Sequence, residues 1–377
     1  MDNNKTNKTT GSSKTADSSC SCTPKSDAQP CNCLTDNIPR FSAIPTIKSI
    51  PTSEIRTTTG KLTFADRLDH FLARWGANRM GHIVKPGLYR LGNPTPDSLV
   101  FVSANYTLSF DAVRSSLAGT DCYILVLDTK GINVWCAAGK GTFGTKELVR
   151  RIGSSGLANV VRHRTLILPQ LSAPGISAYE VKHQSGFLVE YGPVRASDLP
   201  EYLKTRKATP EMRKVQFPMK DRLVLTPVEL VHVILPTIAA AVLLYFLAGP
   251  LAALAAITTI LAGTVFFPAL LPFIPTHDFS TKGLILGGIV AIPFAVAFAT
   301  NSTMPLWENA LISLVFLLIM PALIAYLALN FTGCTTFTSR TGVKKEIFRY
   351  VPIMALMLGS GIIISILLGV IEFMKVI

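Results

Sequence analysis

The sequence predicts an α/β domain followed by an all-α membrane domain of five transmembrane helices, with a polar tail in front of both. Three observations predict this. Between Thr63 and Pro218, short apolar runs of strand character alternate with segments of helical period, as in domains built on a mainly parallel sheet. Beyond Leu223 the apolar residues become nearly continuous, which accounts for a mean hydropathy of +0.40 and a charged fraction of only 16%. The first 60 residues are rich in Ser, Thr, Asn, Asp, Lys and Pro. Such a segment buries too little surface to offset its chain entropy, and a disordered tail is expected. The expected division is therefore 1–60, 61–218 and 219–377.

In the α/β stretch, Ser98–Val102, Tyr123–Leu127, Thr165–Pro169 and Gly186–Val189 read as strands. Ser109–Leu117, Thr145–Ile152, Ser177–Lys182 and Ala196–Arg206 read as helices. After the second strand, the turn Thr129-Lys130-Gly131 leads into the octet Asn133-Val134-Trp135-Cys136-Ala137-Ala138-Gly139-Lys140. Asn133 is a good N-cap, because its side-chain oxygen can accept from an unpaired amide one turn on, so a short helix should follow. On it Cys136 stands between bulky Val134 and Trp135 and two alanines. One face then offers a thiol beside little side-chain volume, where a large flat ligand can lie. Ligands of parallel sheets bind beyond the carboxyl ends of the strands, the edge at which the octet leaves its strand. By spacing alone, a single cysteine among apolar residues is more often a small buried hydrophobe.

Five apolar spans are expected at roughly Leu223–Leu247, Leu251–Ile274, Gly283–Thr300, Leu306–Leu329 and Val351–Ile371. Each is near the ~20 residues that cross a hydrocarbon core. Basic residues precede the first span, and Arg340, Lys344, Lys345 and Arg349 lie between the fourth and fifth. The loop between the third and fourth carries none. The positive-inside rule then places the N-terminal domain in the cytoplasm and the C-terminus outside a multi-pass cytoplasmic membrane protein. Glu229 and His232, one turn apart near the start of the first span, are expected close to the interface, where charge costs little, and a metal or proton role is the lesser reading.

The net charge of +13 does not point to nucleic acid, because Lys and Arg are dispersed and form no basic helix or aromatic-basic ladder. The first residues hold no apolar core, so no signal peptide is expected. The seven cysteines, Cys20, Cys22, Cys31, Cys33, Cys122, Cys136 and Cys334, should be thiols in that compartment. The first four form two Cys-x-Cys pairs; capture of Hg(II) or another soft ion is one reading and an inert tail the other. Their spacing does not fit a ferredoxin cluster. Cys122 and Cys334 are structural by default. Gly139 to Lys146 mimics a phosphate loop, but Thr145 precedes Lys146, the reverse of the order such a loop requires, and nucleotide hydrolysis is not expected.

The octet matches at every position the N-(V/I)-W-C-A-(A/S)-G-K cap-helix signature of the HgcA family, the membrane-bound corrinoid proteins of microbial mercury methylation. Ala65-Asp66-Arg67-Leu68-Asp69-His70-Phe71, Gly87-Leu88-Tyr89-Arg90-Leu91-Gly92-Asn93-Pro94, Ala104-Asn105-Tyr106 and Tyr191-Gly192-Pro193-Val194-Arg195-Ala196-Ser197-Asp198 are similar to that family as well. The second half of the soluble part also resembles the large subunit of the corrinoid iron-sulfur protein of acetyl-CoA synthesis. Together the resemblance covers about residues 60 to 377. It implies a Rossmann-like corrinoid-binding domain that holds cobalamin or a related corrinoid, with the Cys136 thiolate as lower axial cobalt ligand. The D-x-H-x-x-G run of many cobalamin carriers is absent. In this picture all eight residues of the octet, Val134 among them, bind the cofactor; Asn133 caps the helix and Trp135 packs its base against the sheet. Ala137, Ala138 and Gly139 leave room for the ring, and Lys140 reaches a corrin amide or the nucleotide phosphate. The glycines after Gly139 let the backbone pass close to the corrin edge. The implied reaction moves a methyl group from methyl-Co(III) corrinoid to Hg(II), forming methylmercury. A ferredoxin-like iron-sulfur partner (HgcB) would supply electrons, and a methyl donor protein or the methylated folate pathway the methyl group. The alternatives are a membrane-anchored general corrinoid methyl carrier of one-carbon metabolism and a thiol-based membrane metal importer.

Overall fold

The computed structural model describes residues 55–78, 81–300, 304–335 and 339–376. Cys20, Cys22, Cys31 and Cys33, with the disorder expected around them, lie outside the described residues. The side chain of Cys334 does too.

The sheet begins inside the stretch assigned to the tail. Strand β1, Arg56–Thr58, pairs in parallel with β2, Gly87–Leu91, and Ile55 packs on the main core. The boundary expected at 60 therefore moves to about 55. An edge strand reading Arg-Thr-Thr carries no apolar alternation, so its composition matched the tail.

Four further strands follow, β3 (Val100–Ala104), β4 (Cys122–Leu127), β5 (Thr165–Leu168) and β6 (Leu188–Tyr191), in the spatial order β1-β2-β4-β3-β5-β6. Strands β4, β3, β5 and β6 run parallel, and β2 is antiparallel to β4. The helices of this part are α1 (Phe64–Arg74), α2 (Thr107–Ser116), α3 (Val134–Lys140), α4 (Thr145–Ser154), α5 (Leu157–Val160), α6 (Ala178–Ser185) and α7 (Leu199–Thr205). Helix α2 connects β3 to its neighbour on one side, while α6 connects β5 to its neighbour on the other. The winding therefore reverses between β3 and β5, and their carboxyl ends open a crevice there.

Strand alternation feeds two cores. Val100, Val102, Leu125, Leu127, Leu166 and Leu168 meet Leu148, Ile152 and Val181 on one face. On the other, Phe101, Ile167 and Cys122 pack with Leu199, Tyr202 and Met212, and Ile124 and Val126 with Phe110. This is a sheet wound on both sides, the α/β class expected.

The rest of the chain is helical: α8 (Met219–Leu223), α9 (Thr226–Ala248), α10 (Pro250–Leu261), α11 (Phe267–Leu270), α12 (Phe279–Ala299), α13 (Leu306–Phe331) and α14 (Arg340–Val376). A π-helical turn, Ala262–Phe266, joins α10 to α11. Five helical runs are long and apolar enough to cross a membrane: Met219–Ala248, Pro250–Leu270, Phe279–Ala299, Leu306–Phe331 and Thr341–Lys375. All five overlap the expected spans. Helices α12 and α13 approach closely, since a Cβ on Gly283 or Gly287 would lie 2.5 Å from the Ala325 backbone or 2.4 Å from that of Pro321. Arg222 donates to the carbonyls of Pro268 and Ala269, and Lys282 to those of Leu271 and Ile274, so two buried cations satisfy the open end of the second run.

Candidate functional site

Helix α3 forms as its sequence dictates. The Asn133 side chain accepts from the Cys136 amide at 2.9 Å, and Gly141, at φ 81°, ends the helix in the left-handed conformation. The turn before it is held from a distance. Asn105, at the carboxyl end of β3 and 2% exposed, accepts through Oδ1 from the Thr129 amide (2.9 Å), the Thr129 hydroxyl (2.8 Å) and the Gly131 amide (3.0 Å). Its amide group donates to Asp128. Lys130 and Gly131 both take positive φ, 58° and 69°, and a Cβ on Gly131 would meet Ile83 at 2.8 Å. Glu147 of α4 accepts from the Asp128 amide and fixes the end of β4. One buried side chain thus determines how α3 leaves the sheet. In the sequence Asn105 stands only within a matching run, and a lone Asn just after an apolar strand is the available signal.

The crevice between β3 and β5 is a cavity of about 310 Å³. Phe101 to Ser103 and Ile167 to Pro169 form its base, Ser109, Ala112 and Val113 of α2 one wall, and Pro193, Val194, Ala196 and Leu199 another. Asn133, Val134 and Trp135 close its rim. The next residue, Cys136, is half-buried at that rim.

The two alanines do something other than expected. Ala137 is fully buried and Ala138 5% exposed, both in the main core, where α3 lies on the 3₁₀ segment Gln170–Gly175. A Cβ on Gly175 would come within 3.0 Å of the Ala138 backbone and 2.3 Å of the Phe143 carbonyl. Their smallness permits that contact and leaves no room for a ring on their side. The open face of α3 instead presents Cys136, Gly139 and Lys140, with nothing within 4 Å of a Cβ built on Gly139. Among the following glycines, Gly144 is also tight internally, its Cβ position lying 2.6 Å from the Gly141 carbonyl.

Two neighbouring variants should therefore separate. Ala138→Leu is expected to cost about 1–3 kcal/mol by overpacking. Gly139→Leu should leave stability unchanged or raise it by roughly 0.5–1 kcal/mol, since glycine is a poor helix former, while covering the open face. Thermal unfolding and ligand binding of both variants check this.

The two described cysteines differ. Cys122 is fully buried in β4, and burial, with nearby Asp121, pushes its thiol up to about 12, an inert core position. Cys136 is half-buried on α3. Glu229 and His232 sit on α9, where the His232 Nδ1 is 2.6 Å from the Val228 carbonyl. Among the described residues no group of three or more His, Cys, Asp or Glu is placed to hold a metal ion.

Helix α1 is attached to α2 by polar groups. Asp111 (2% exposed) and Arg114 (6%) of α2 pair at 2.6 Å, and α1 adds Asp66 to Arg114 at 2.8 Å and His70 to Asp111 at 2.7 Å. Buried His82 lies 2.7 Å from both the Asp69 carboxylate and the Ala77 carbonyl, one on each ring nitrogen. Both partners are acceptors, so the ring donates twice as imidazolium. Burial alone would lower its pKa, but these two hydrogen bonds raise it overall. A raised folded value means that the stabilisation is complete below the unfolded value of about 6.5 and is lost as pH rises through the folded one. Thermal stability should fall from about pH 6 to about pH 9 by more in the wild type than in His82→Gln, measured on the full chain.

Fold and site define an α/β protein with a ligand crevice at the switch point of a doubly wound sheet, joined to five helices of membrane-spanning length. The family described as CO dehydrogenase/acetyl-CoA synthase delta subunit matches residues 77–203. The chain is similar to acetyl-CoA decarbonylase/synthase complex subunit gamma of Methanopyrus kandleri, 35% identical over 123 residues that make up 32% of this chain and 26% of that one. The corresponding subunit of Methanothermobacter thermautotrophicus is 32% identical over 127 residues, 33% of this chain and 27% of that one. That of Archaeoglobus fulgidus is 31% identical over 123 residues, 32% and 26% of the two chains. The chain thus spans about a quarter of the length of these relatives. The α/β part is thus similar to subunits of the acetyl-CoA decarbonylase/synthase complex, and the matched region contains the crevice, Asn105 and all of α3.

Proposed function

We propose that the chain is a membrane-anchored corrinoid protein of the HgcA type that transfers a methyl group to Hg(II), with Cys136 as the residue that would hold the cobalt. The observation that carries this is Cys136 on the open face of a capped helix, at the rim of the switch-point crevice, within an octet matching the family signature throughout. The residues present fit such a cofactor. The crevice is walled by apolar side chains with Ser103, Ser109 and Asn133 among them, suited to an aromatic base with a polar edge. Outside it, Cys136 offers a sulfur and Gly139 leaves space for a ring.

When bound, the corrinoid supplies a cobalt-held methyl group that a soft electrophile can accept. This chain's residues hold and orient it. Asn133 binds the amide of Cys136 and so fixes where the sulfur stands. Asn105 fixes the turn from which α3 starts. Trp135 covers the crevice at the rim and excludes water there. Lys140, exposed in the last turn, is placed for an anionic or amide group at the ligand's edge. A separate ferredoxin-like protein supplies electrons and a methyl donor of one-carbon metabolism the methyl group. The chain lies in the cytoplasmic membrane, with the α/β part in the cytoplasm and the C-terminus outside.

The test is the anaerobic absorption spectrum of the full chain, purified in detergent and supplied with cobalamin, for wild type and Cys136→Ala. Corrinoid retained by the wild type with a cobalt band that shifts in the variant supports the ligand. A folded wild type without corrinoid defeats the proposal. The similarity to acetyl-CoA decarbonylase/synthase subunits favours a second reading, a general methyl carrier with mercury as an incidental acceptor. Deletion that abolishes methylmercury formation while leaving growth on one-carbon substrates intact excludes it.

A further inference from the structure

We propose that α1 lies in the lipid headgroup layer, with its apolar side inserted into the leaflet that the first spanning helix enters. The proposal rests on reading the five apolar helices as membrane spans.

Helix α1 is amphipathic in reverse. Its partly buried positions are Asp66, Asp69, His70 and Ala73, three of which bond to Arg114, His82 and Asp111. Its exposed positions include Phe64 (81%), Leu68 (47%), Phe71 (54%), Leu72 (39%) and Trp75 (40%). At helical spacing these five share an arc of about 100°. A helix on a water-facing surface turns its apolar stripe to the core. This one turns ion pairs to the protein and two aromatic rings, two leucines and an indole outward. An apolar patch of that size marks a contact with something apolar.

Its position selects lipid over a protein partner. One groove of about 770 Å³ runs between α1 and the start of the first span, lined by Phe71 and Trp75 on one side and Met219, Leu223 and Pro227 on the other. Met219 (46% exposed) and Leu223 (37%) continue the apolar surface into Val231 (40%) and Leu235 (75%) of α9. The stripe is thus contiguous with the surface that faces acyl chains. Arg67, Arg74 and Lys220 line the same groove, where their stems can lie along the apolar floor while the charges reach lipid phosphates. Aromatic residues beside basic ones at the end of a span form the belt expected at a bilayer interface.

The experiment uses the full chain in phosphatidylcholine nanodiscs, with or without bromines on the acyl chains. Replacing Trp135 and Trp307 by Phe leaves Trp75 as the sole tryptophan of three. Brominated lipid should remove more than half of the Trp75 emission. A second variant, with all three tryptophans replaced by Phe and Ile238→Trp on α9, tests the membrane reading alone. Quenching at 238 without quenching at 75 overturns the α1 proposal and leaves the spans standing. Loss of quenching at both positions overturns the spans and the proposal with them. In the Trp75-only chain, Leu68→Glu with Leu72→Glu should restore most of the emission. Quenching that persists there means that Trp75 senses lipid only through the adjacent span, and the insertion of α1 is overturned.

Discussion

Cys136→Ala is expected to abolish methyl transfer to Hg(II) while leaving the fold intact. The side chain stands half-buried at the rim of the crevice, and its structural contribution is through its backbone amide, which Asn133 would still cap in alanine. Alanine is also the better helix former. The variant should therefore unfold at or slightly above the wild-type temperature, and the loss should be confined to activity. Anaerobic assay of methylmercury formation, alongside thermal unfolding of the same sample, checks both. Substantial activity would defeat the ligand role of the sulfur. Loss of fold would make the variant uninformative about chemistry, and Cys136→Ser, which keeps size and polarity, is the companion measurement.

Asn105→Ala should be the most destabilising single change near the site. Removing Oδ1 leaves the Thr129 and Gly131 amides without their acceptor, while the Thr129 hydroxyl keeps the Ile132 carbonyl at 2.7 Å. Each unpaired buried donor costs about 1–3 kcal/mol, with partial relief from water, so a total on the order of 3 kcal/mol is expected. The change should also free α3 to shift and reduce corrinoid retention at temperatures where the chain is still folded. Asn105→Asp keeps the acceptor but sets a carboxylate near Asp128, and should fall between the two. Equal stability of Asn105→Ala and wild type by thermal unfolding would mean that the turn holds itself.

What could be read from the sequence was what is local. The cap on α3 is a matter of four consecutive residues, and Asn133 does bind the Cys136 amide. The apolar spans are long enough that composition alone marks them. Strands β3 to β6 were located to within about two residues, since their apolar runs are bounded by turns. What escaped depends on distant partners. The antiparallel pairing of β2 with β4 has no signature in either run. Which side of α3 faces inward is decided by the segment Gln170–Gly175, which arrives from the end of β5; nothing in the octet states that Ala137 and Ala138 lie under it. Asn105 acts on residues 24 to 26 positions later. The stripe of α1 has ordinary helical spacing, and spacing does not say that its polar side is the inner one.

Helix α14 runs for 37 residues. At 1.5 Å per residue it is about 55 Å long, against a hydrocarbon core of about 30 Å. A tilt of about 40°, near the limit for such helices, still leaves surplus length. The apolar run from Val351 to Ile371 leaves most of the surplus in the segment that carries Lys344, Lys345 and Arg349, and the rest at Glu372–Val376. At its foot Tyr350 donates to Asp278, and Glu346 accepts from the Ser280 amide at the start of α12. As a span, the helix would be a spacer as well as an anchor: the ten residues Arg340–Arg349 form a cationic column of about 15 Å ahead of the apolar run. Deleting one turn of it would lower that column without shortening the span.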